Sequence, residues 1–252
     1  LKSGSKLEQL FARGEFVITG ELGPPRSVDG EVIDKKCSHL LGNVDAANVT
    51  DNQTAIVRVS SIAVGKMLLD RGLEPVIQIT CRDRKRLAMQ AARLVAAAHC
   101  IKNVLCLSGD HQKFGNHAGA KNVYDVDSIQ LVDMVRRMRD DGKVQSGDEI
   151  DGVPRMFIGA AANPFGDPCS FRVTRLAMKV ADGVDFIQTQ CIYNMDKFKT
   201  WMHQVVDQGL DQKVHILAGV TPLKSLGMAR YMASNVSGIE VPDELINRIK
   251  DV

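Results

Sequence analysis

The chain has 252 residues, of which 44% are hydrophobic and 25% charged, enough to bury the core of one barrel or two small domains. Its 32 basic and 30 acidic residues are interspersed and leave a formal net charge of +2, which argues against nucleic-acid and membrane-surface partners. No apolar run approaches the roughly 18 to 20 residues of a membrane span, and residues 1–14 lack a signal-peptide core, so we expect a cytoplasmic protein.

Short apolar runs alternate with longer amphipathic stretches, a pattern typical of a parallel sheet with helical connections. The runs predict seven strands, at residues 16–20, 45–49, 75–79, 103–107, 156–162, 185–189 and 214–220. The stretches predict helices at about 28–41, 54–71, 84–100, from 127, at 168–181, 196–209 and 223–234, and from 242. Gly72 is expected to cap the end of the second helix.

One predicted helix and one predicted loop have distinct residue patterns. The third predicted helix has an apolar face that we expect to be core, formed by Leu87, Ala91, Leu94, Val95 and Ala98. The polar, glycine-rich stretch 109–124 is too long for a simple turn and predicts a functional loop.

Seven strand–helix units predict an α/β fold: a (β/α)8 TIM barrel truncated before its eighth strand, in a single domain over residues 1–252. The eighth strand could belong to residues outside this sequence or to a partner chain.

Active sites of such barrels lie at the carboxyl ends of the strands. The residues there are mostly uncharged and polar: Glu21, Asn48, Thr50, Asp51, Asn52, Gln78, Thr80, Ser108, Asp110, Asn163, Gln188, Gln190 and Thr221. Amides and hydroxyls with few acids suit a neutral heteroaromatic ligand, such as a flavin or a pterin, more than a polyphosphate. Six cysteines and six histidines show no metal-ligand spacing, so we predict reduced thiols and no metal site.

Glu21 directly follows the first predicted strand and precedes a rigid Gly-Pro-Pro sequence at 23–25. We expect this loop to hold a partly buried carboxyl group over the site, where it could act as a general acid. Helix capping is the alternative role for Asp51, Thr54 and Asp83, and a turn position is the alternative for Asp110.

Seven short motifs resemble those of the methylenetetrahydrofolate reductase family, in the family's order. They are Glu21-Leu-Gly-Pro-Pro-Arg26, Asn48-Val-Thr50, Ile79-Thr-Cys81, Leu107-Ser-Gly-Asp110, Lys179 with Gly183, Thr189-Gln190 and Gly219-Val-Thr-Pro222. The resemblance implies a flavoprotein of one-carbon metabolism and methionine biosynthesis, with FAD at the strand ends and FMN as the alternative. It also implies reduction of 5,10-methylenetetrahydrofolate to 5-methyltetrahydrofolate by hydride transfer from flavin N5.

By the same resemblance, Glu21 matches the general acid that protonates folate N10, and Asp110 matches the acid that stabilises the cationic iminium. Gln190 and Leu226 match folate-binding positions. The flavin-binding positions are Thr50, Gln78, Ser108, Gly109, Asp110, Asn163 and Lys179. For Lys179, a solvated helix face is the alternative.

Three residues depart from the family pattern. Gln78 replaces a histidine, Ser108 an arginine and Leu226 a phenylalanine, and a folate-binding arginine near the end of the barrel has no counterpart. Electrons could therefore come from NAD(P)H or from an electron-transfer subunit, in a homo-oligomer or a hetero-complex. The alternative functions are a folate-binding barrel methyltransferase and a non-catalytic flavin- or folate-binding subunit.

Overall fold

The computed structural model describes residues 1–117, 119–236 and 238–250. Its strands are β1 Thr19–Leu22, β2 Ala46–Val49, β3 Pro75–Thr80, β4 Asn103–Leu107, β5 Phe157–Ala162, β6 Phe186–Cys191 and β7 His215–Gly219. Its α-helices are α1 Lys6–Ala12, α2 Glu31–Leu40, α3 Ser61–Asp70, α4 Arg86–Ala98, α5 Ser128–Asp140, α6 Arg172–Ala181, α7 Met195–Asp207, α8 Leu226–Asn235 and α9 Asp243–Lys250. Short 3₁₀ helices lie at Gln53–Ala55, Gln112–Phe114 and Cys169–Phe171.

Leu1–Ala160 forms a first compact unit. Its strands pair in parallel and in chain order, β1 with β2, then β3, β4 and residues 157–160 of β5. Leu22 and Val49 of the sheet pack against Val64 and Leu68 of α3 in one buried cluster. A Cβ atom on Gly65 would lie 2.6 Å from Ile77 Cγ2, so only glycine lets α3 approach β3 this closely.

Ala161–Val252 forms a second compact unit. Its strands β6 and β7 are parallel, with Phe186 opposite His215. Met232 of α8 packs with Ile239 and Val241 in a buried cluster, and Leu245 of α9 adds to it. This cluster secures the two C-terminal helices to the unit.

Among the described residues, seven strands alternate with helices, and consecutive strands within each unit pair in parallel, which is the arrangement of a (β/α)8 TIM barrel truncated before its eighth strand. The predicted fold class is confirmed. No helix among the described residues combines the length and the apolar composition needed to cross a bilayer.

The first predicted strand, which is β1, and the second predicted helix, which is α3, both begin later in the chain than predicted. Phe16 is 90% exposed, and β1 starts only at Thr19, so Glu21 lies inside the strand. Thr54 and Ala55 have positive φ angles, which interrupt a helix, and α3 therefore starts at Ser61 with the Ser60 hydroxyl as its cap. Gly72, at φ +79°, follows the end of α3 as predicted.

The predicted core face of α4 is wrong. Its five apolar members are all exposed, with Leu87 at 79%. The buried residues of α4 are Met89, Gln90, Arg93 and Ala96. Because the prediction relied on apolar residues alone, it missed a buried face that includes the polar Gln90 and Arg93.

Candidate functional site

Glu21 lies in β1 beside Leu22, and the two side chains point to opposite faces of the strand. Leu22 is buried in the core and Glu21 is exposed, so the partial burial that we expected for the Glu21 carboxyl group is wrong. Gln53 Nε2 donates a hydrogen bond to Glu21 Oε1 over 3.3 Å. The carboxylate is therefore accessible, with one amide partner from the loop after β2.

Thr50 directly follows β2 and is 2% exposed. Its Oγ1 atom is buried and has no hydrogen-bond partner within the described part of the chain. A Cβ atom on Gly23 would lie 3.8 Å from this oxygen, so the backbone after β1 passes close to it. A buried hydroxyl without a partner costs free energy, and a ligand atom could satisfy it.

Gln78 is half-buried in β3, and Ser108, Gly109 and Asp110 follow β4 directly. Gly109 has a φ angle of +87°, and a Cβ atom there would lie 3.0 Å from the Thr80 Cβ atom. Both observations require glycine at this position. Asp110 is exposed at the start of the long loop.

Arg82 is a residue of this site that the sequence analysis did not single out. It is 1% exposed, and its Nε and Nη2 atoms donate to the two carboxylate oxygens of Asp83 over 2.8 and 2.7 Å. Nη2 also donates to the Asn52 carbonyl over 2.9 Å, and Nη1 to the Asp110 carbonyl over 3.2 Å. The hydrogen bonds to Asp83 raise the pKa of the guanidinium above its ordinary value.

Asp51, directly after Thr50, forms a second buried polar group. Its Oδ2 atom accepts hydrogen bonds from the Thr80 amide and hydroxyl over 3.0 and 3.1 Å. Arg84 binds both oxygens of the same carboxylate. The capping alternative is wrong for Asp51, and it is also wrong for Thr54, which lies inside a 3₁₀ turn, and for Asp83, since the cap position of α4 is Lys85.

The loop 109–124 is attached to the same region, apart from Ala118, which lies outside the described residues. The amides of Val123 and Tyr124 donate to the carbonyls of Arg82 and Cys81 over 2.8 and 3.2 Å. The Tyr124 hydroxyl donates to the Gly109 carbonyl over 3.1 Å. The far end of the loop therefore returns to the segment that precedes Asp110.

In the second unit, Lys179 is 7% exposed, and its Nζ atom donates to the Ala161 carbonyl of β5 over 2.5 Å. The solvated-face alternative is therefore wrong, since Lys179 points from α6 to the carboxyl end of a strand. Asn163 follows that strand and is half-buried. A Cβ atom on Gly166 would lie 3.0 Å from Asn163 Nδ2, so this loop wraps closely around the amide.

Gln190 and Leu226 also lie in the second unit. Gln190 is inside β6, and its Oε1 atom accepts a hydrogen bond from the Cys191 amide over 3.0 Å. Leu226 begins α8 and is half-buried. It lines a groove together with Tyr193, and the Tyr193 hydroxyl donates to the Thr221 carbonyl over 2.7 Å.

In each unit, amides and hydroxyls lie at the carboxyl ends of parallel strands, and in the first unit paired arginine and aspartate side chains lie among them. Parallel strands that alternate with helices and carry polar residues at their carboxyl ends define the (β/α)-barrel class of protein. The sequence model of the methylenetetrahydrofolate reductase family matches residues 6–252. The chain therefore belongs to the methylenetetrahydrofolate reductase family.

Among individual proteins, the chain is 25% identical over 187 residues to methylenetetrahydrofolate reductase 1 of Schizosaccharomyces pombe. The match covers 73% of this chain and 28% of that protein. A Clostridium thermocellum protein described as binding two copies of 5-methyl-5,6,7,8-tetrahydrofolic acid superposes with a TM-score of 0.65 at 16% identity, over 98% of this chain and 80% of its own. A 2,3-dimethylmalate lyase superposes with a TM-score of 0.54 at 11% identity, over 99% and 95%. These two structural likenesses show the fold alone.

Proposed function

We propose that the chain is a flavin-dependent reductase that converts 5,10-methylenetetrahydrofolate to 5-methyltetrahydrofolate. Family membership supports this, and one observation carries it: Gln53, in the loop after β2, donates a hydrogen bond to the accessible Glu21 carboxylate, and the buried Thr50 hydroxyl at the start of the same loop has no hydrogen-bond partner within the described residues. When protonated, the Glu21 carboxyl group is a proton donor for a folate, and the Thr50 hydroxyl is a hydrogen-bonding group for a flavin. The name of the yeast relative and the ligand of the clostridial protein agree with a folate substrate.

The residues that would hold the flavin are Thr50, Gln78, Ser108, Gly109, Asp110, Asn163 and Lys179. They fit such a ligand because they offer uncharged hydrogen-bonding groups, a glycine backbone, one buried cation at Lys179 and one exposed carboxylate at Asp110. FAD is the expected form, with FMN as the alternative. When bound, the flavin supplies the hydride for the folate methylene group.

Glu21 delivers a proton to folate N10, which opens the five-membered ring of the substrate. Its exposure leaves the carboxyl group free to meet a ligand, while Gln53 Nε2 restricts its orientation. The Asp110 carboxylate stabilises the positive charge that develops on the opened folate. Gln190 and Leu226 bind the folate in the second unit.

The source of the electrons is a separate part of the proposal. Gln78, Ser108 and Leu226 replace residues that the family resemblance associates with flavin, folate and nicotinamide binding, so we propose a partner electron-transfer protein in a hetero-complex as the physiological donor. Mixing the purified holoprotein with NADH in a stopped-flow spectrometer tests this. Rapid bleaching of the flavin by NADH would instead establish direct reduction and would remove the reason to propose an electron-transfer subunit.

The folate reaction is tested with the reduced holoprotein. The cofactor released on denaturation should be FAD, and methylenetetrahydrofolate should reoxidise the reduced flavin. Glu21→Gln should slow reoxidation by roughly 10²–10⁴-fold, because the amide cannot protonate the leaving nitrogen. The control is Glu15→Gln, which changes an exposed carboxylate paired with Arg13. A colourless protein, or full activity in Glu21→Gln, would contradict the proposed function.

A further inference from the structure

We infer that Arg82 is a positioning residue that holds the loops after β2 and β4 in one fixed arrangement and thereby places Asp110. The effect of Arg82 on catalysis rests on the proposed function, whereas the effect of Arg82 on the two loops does not. The residue lies two positions after the end of β3, between the strands whose loops it joins.

The guanidinium group joins three loops at once. It binds both carboxylate oxygens of Asp83 on its own loop, the Asn52 carbonyl after β2 and the Asp110 carbonyl after β4. Asn52 Nδ2 also donates to Asp83 Oδ2 over 3.2 Å, so that Arg82, Asp83 and Asn52 are each bonded to the other two. Because the arginine side chain is 1% exposed, water cannot easily replace these bonds.

The segment before Asp110 is held by an uninterrupted row of backbone contacts. The Ser108 carbonyl accepts a hydrogen bond from the Arg82 amide over 3.0 Å, and the Gly109 carbonyl accepts one from the Tyr124 hydroxyl over 3.1 Å. The Asp110 carbonyl accepts the next one, from Arg82 Nη1. Three consecutive carbonyls are thus bound, two of them by Arg82, so the backbone at Asp110 has little freedom.

Only arginine has the geometry for this role. Its planar group offers five N–H donors in a fixed fork, whereas a lysine ammonium is a single point charge on a flexible stem. Arg82→Lys should therefore keep the ion pair with Asp83 and release the carbonyls of Asn52 and Asp110. Arg86, four residues further on, gives a matched control because its own side chain is exposed and its partner is the half-buried Asp125.

Hydrogen–deuterium exchange of the full 252-residue chain tests the positioning role without reference to activity. In Arg82→Lys we expect about tenfold faster exchange in both segments 50–55 and 107–112, and unchanged exchange in β1 and β6. Arg86→Lys should change neither segment. If Arg82→Lys does not fold, Asp83→Asn keeps the arginine, weakens its anchor and should loosen the same two segments. Faster exchange confined to residues 82–84 in the folded variant would overturn the inference.

Folate kinetics then test whether Arg82 acts through Asp110. Arg82→Lys should lower kcat by roughly 100-fold with little change in KM, because a displaced Asp110 stabilises the transition state poorly. In an Asp110→Asn background, the same substitution should cause no further loss. A fully additive loss would overturn the coupling. Wild-type protein without folate turnover would contradict the proposed function instead, and the exchange result would still decide the positioning role.

Discussion

Thr50 and Thr80 are both buried threonines at strand ends, and they differ in one respect. The Thr80 hydroxyl donates to Asp51, whereas the Thr50 hydroxyl has no partner within the described residues. Removing a hydrogen-bonded buried hydroxyl costs stability, and removing an unpartnered one does not. The two residues therefore form a natural pair for separating a structural hydroxyl from a ligand-binding one.

We expect Thr50→Val to leave the free energy of unfolding of the flavin-free protein unchanged or slightly higher, and to weaken flavin binding by about tenfold. Thr80→Val should instead lower the free energy of unfolding by about 1–3 kcal/mol. Urea unfolding and a flavin fluorescence titration measure the two quantities. Equal flavin affinity in Thr50→Val and wild type would remove Thr50 from the proposed cofactor site.

Single residues of the site differ in how well sequence locates them. Thr50, Ser108 and Asp110 each follow an apolar run, and the structure places Thr50 and Ser108 directly after a strand and Asp110 two residues beyond Ser108. Arg82 escaped this search because an arginine two residues beyond a strand has the pattern of a solvated loop. Its burial depends on contacts with residues 30 positions before it and 28 after it, and no local pattern contains that information.

At the scale of elements, α4 shows why periodicity locates a helix more reliably than its buried face. Alanine and leucine occur all round this helix, so several apolar stripes can be drawn on it. The true buried face contains Arg93, which hydropathy assigns to solvent. Helix α1 escaped the sequence analysis because it is only seven residues long, although Ser5 caps it.

The two faces of α4 predict opposite effects of truncation. Met89→Ala should lower the free energy of unfolding by about 2–5 kcal/mol, because Met89 is fully buried. Leu87→Ala, at a position that is 79% exposed, should change it by less than about 0.5 kcal/mol. Urea denaturation of both variants measures the difference. A large loss in Leu87→Ala alone would restore the face that the sequence predicts.

At the scale of the whole molecule, the alternation of seven apolar runs with amphipathic stretches was enough to predict the fold class. Parallel strands joined by helices leave few other arrangements for such a pattern. The single-domain prediction is a different matter and stays a prediction, because domain independence depends on contacts between distant parts of the chain rather than on periodicity.

A bound flavin should stabilise the entire chain, since a ligand that binds only the folded state shifts the unfolding equilibrium. At a concentration 100 times its Kd, FAD should add about 2.7 kcal/mol. For a protein of this size, that corresponds to a rise in Tm of roughly 5–10 °C. Circular dichroism melts of flavin-stripped protein with FAD, FMN or ADP measure it. A larger rise with FMN than with FAD would reverse the choice of cofactor.

Arg93 has a consequence for engineering this protein. Its guanidinium is fully buried, its Nη1 atom lies 4.0 Å from the Met156 sulfur, and its Nε and Nη2 atoms have no hydrogen-bond partner within the described residues. Burial lowers the pKa of this group to about 10. Because the unfolded chain keeps this charge to a higher pH than the folded chain does, the destabilisation caused by burying the charge is complete below about pH 10 and declines as pH rises above that value. A methionine of similar length would remove it, and Arg93→Met should raise the free energy of unfolding at neutral pH by about 1–4 kcal/mol. A single substitution at position 93 should therefore give a more stable protein for laboratory or industrial use.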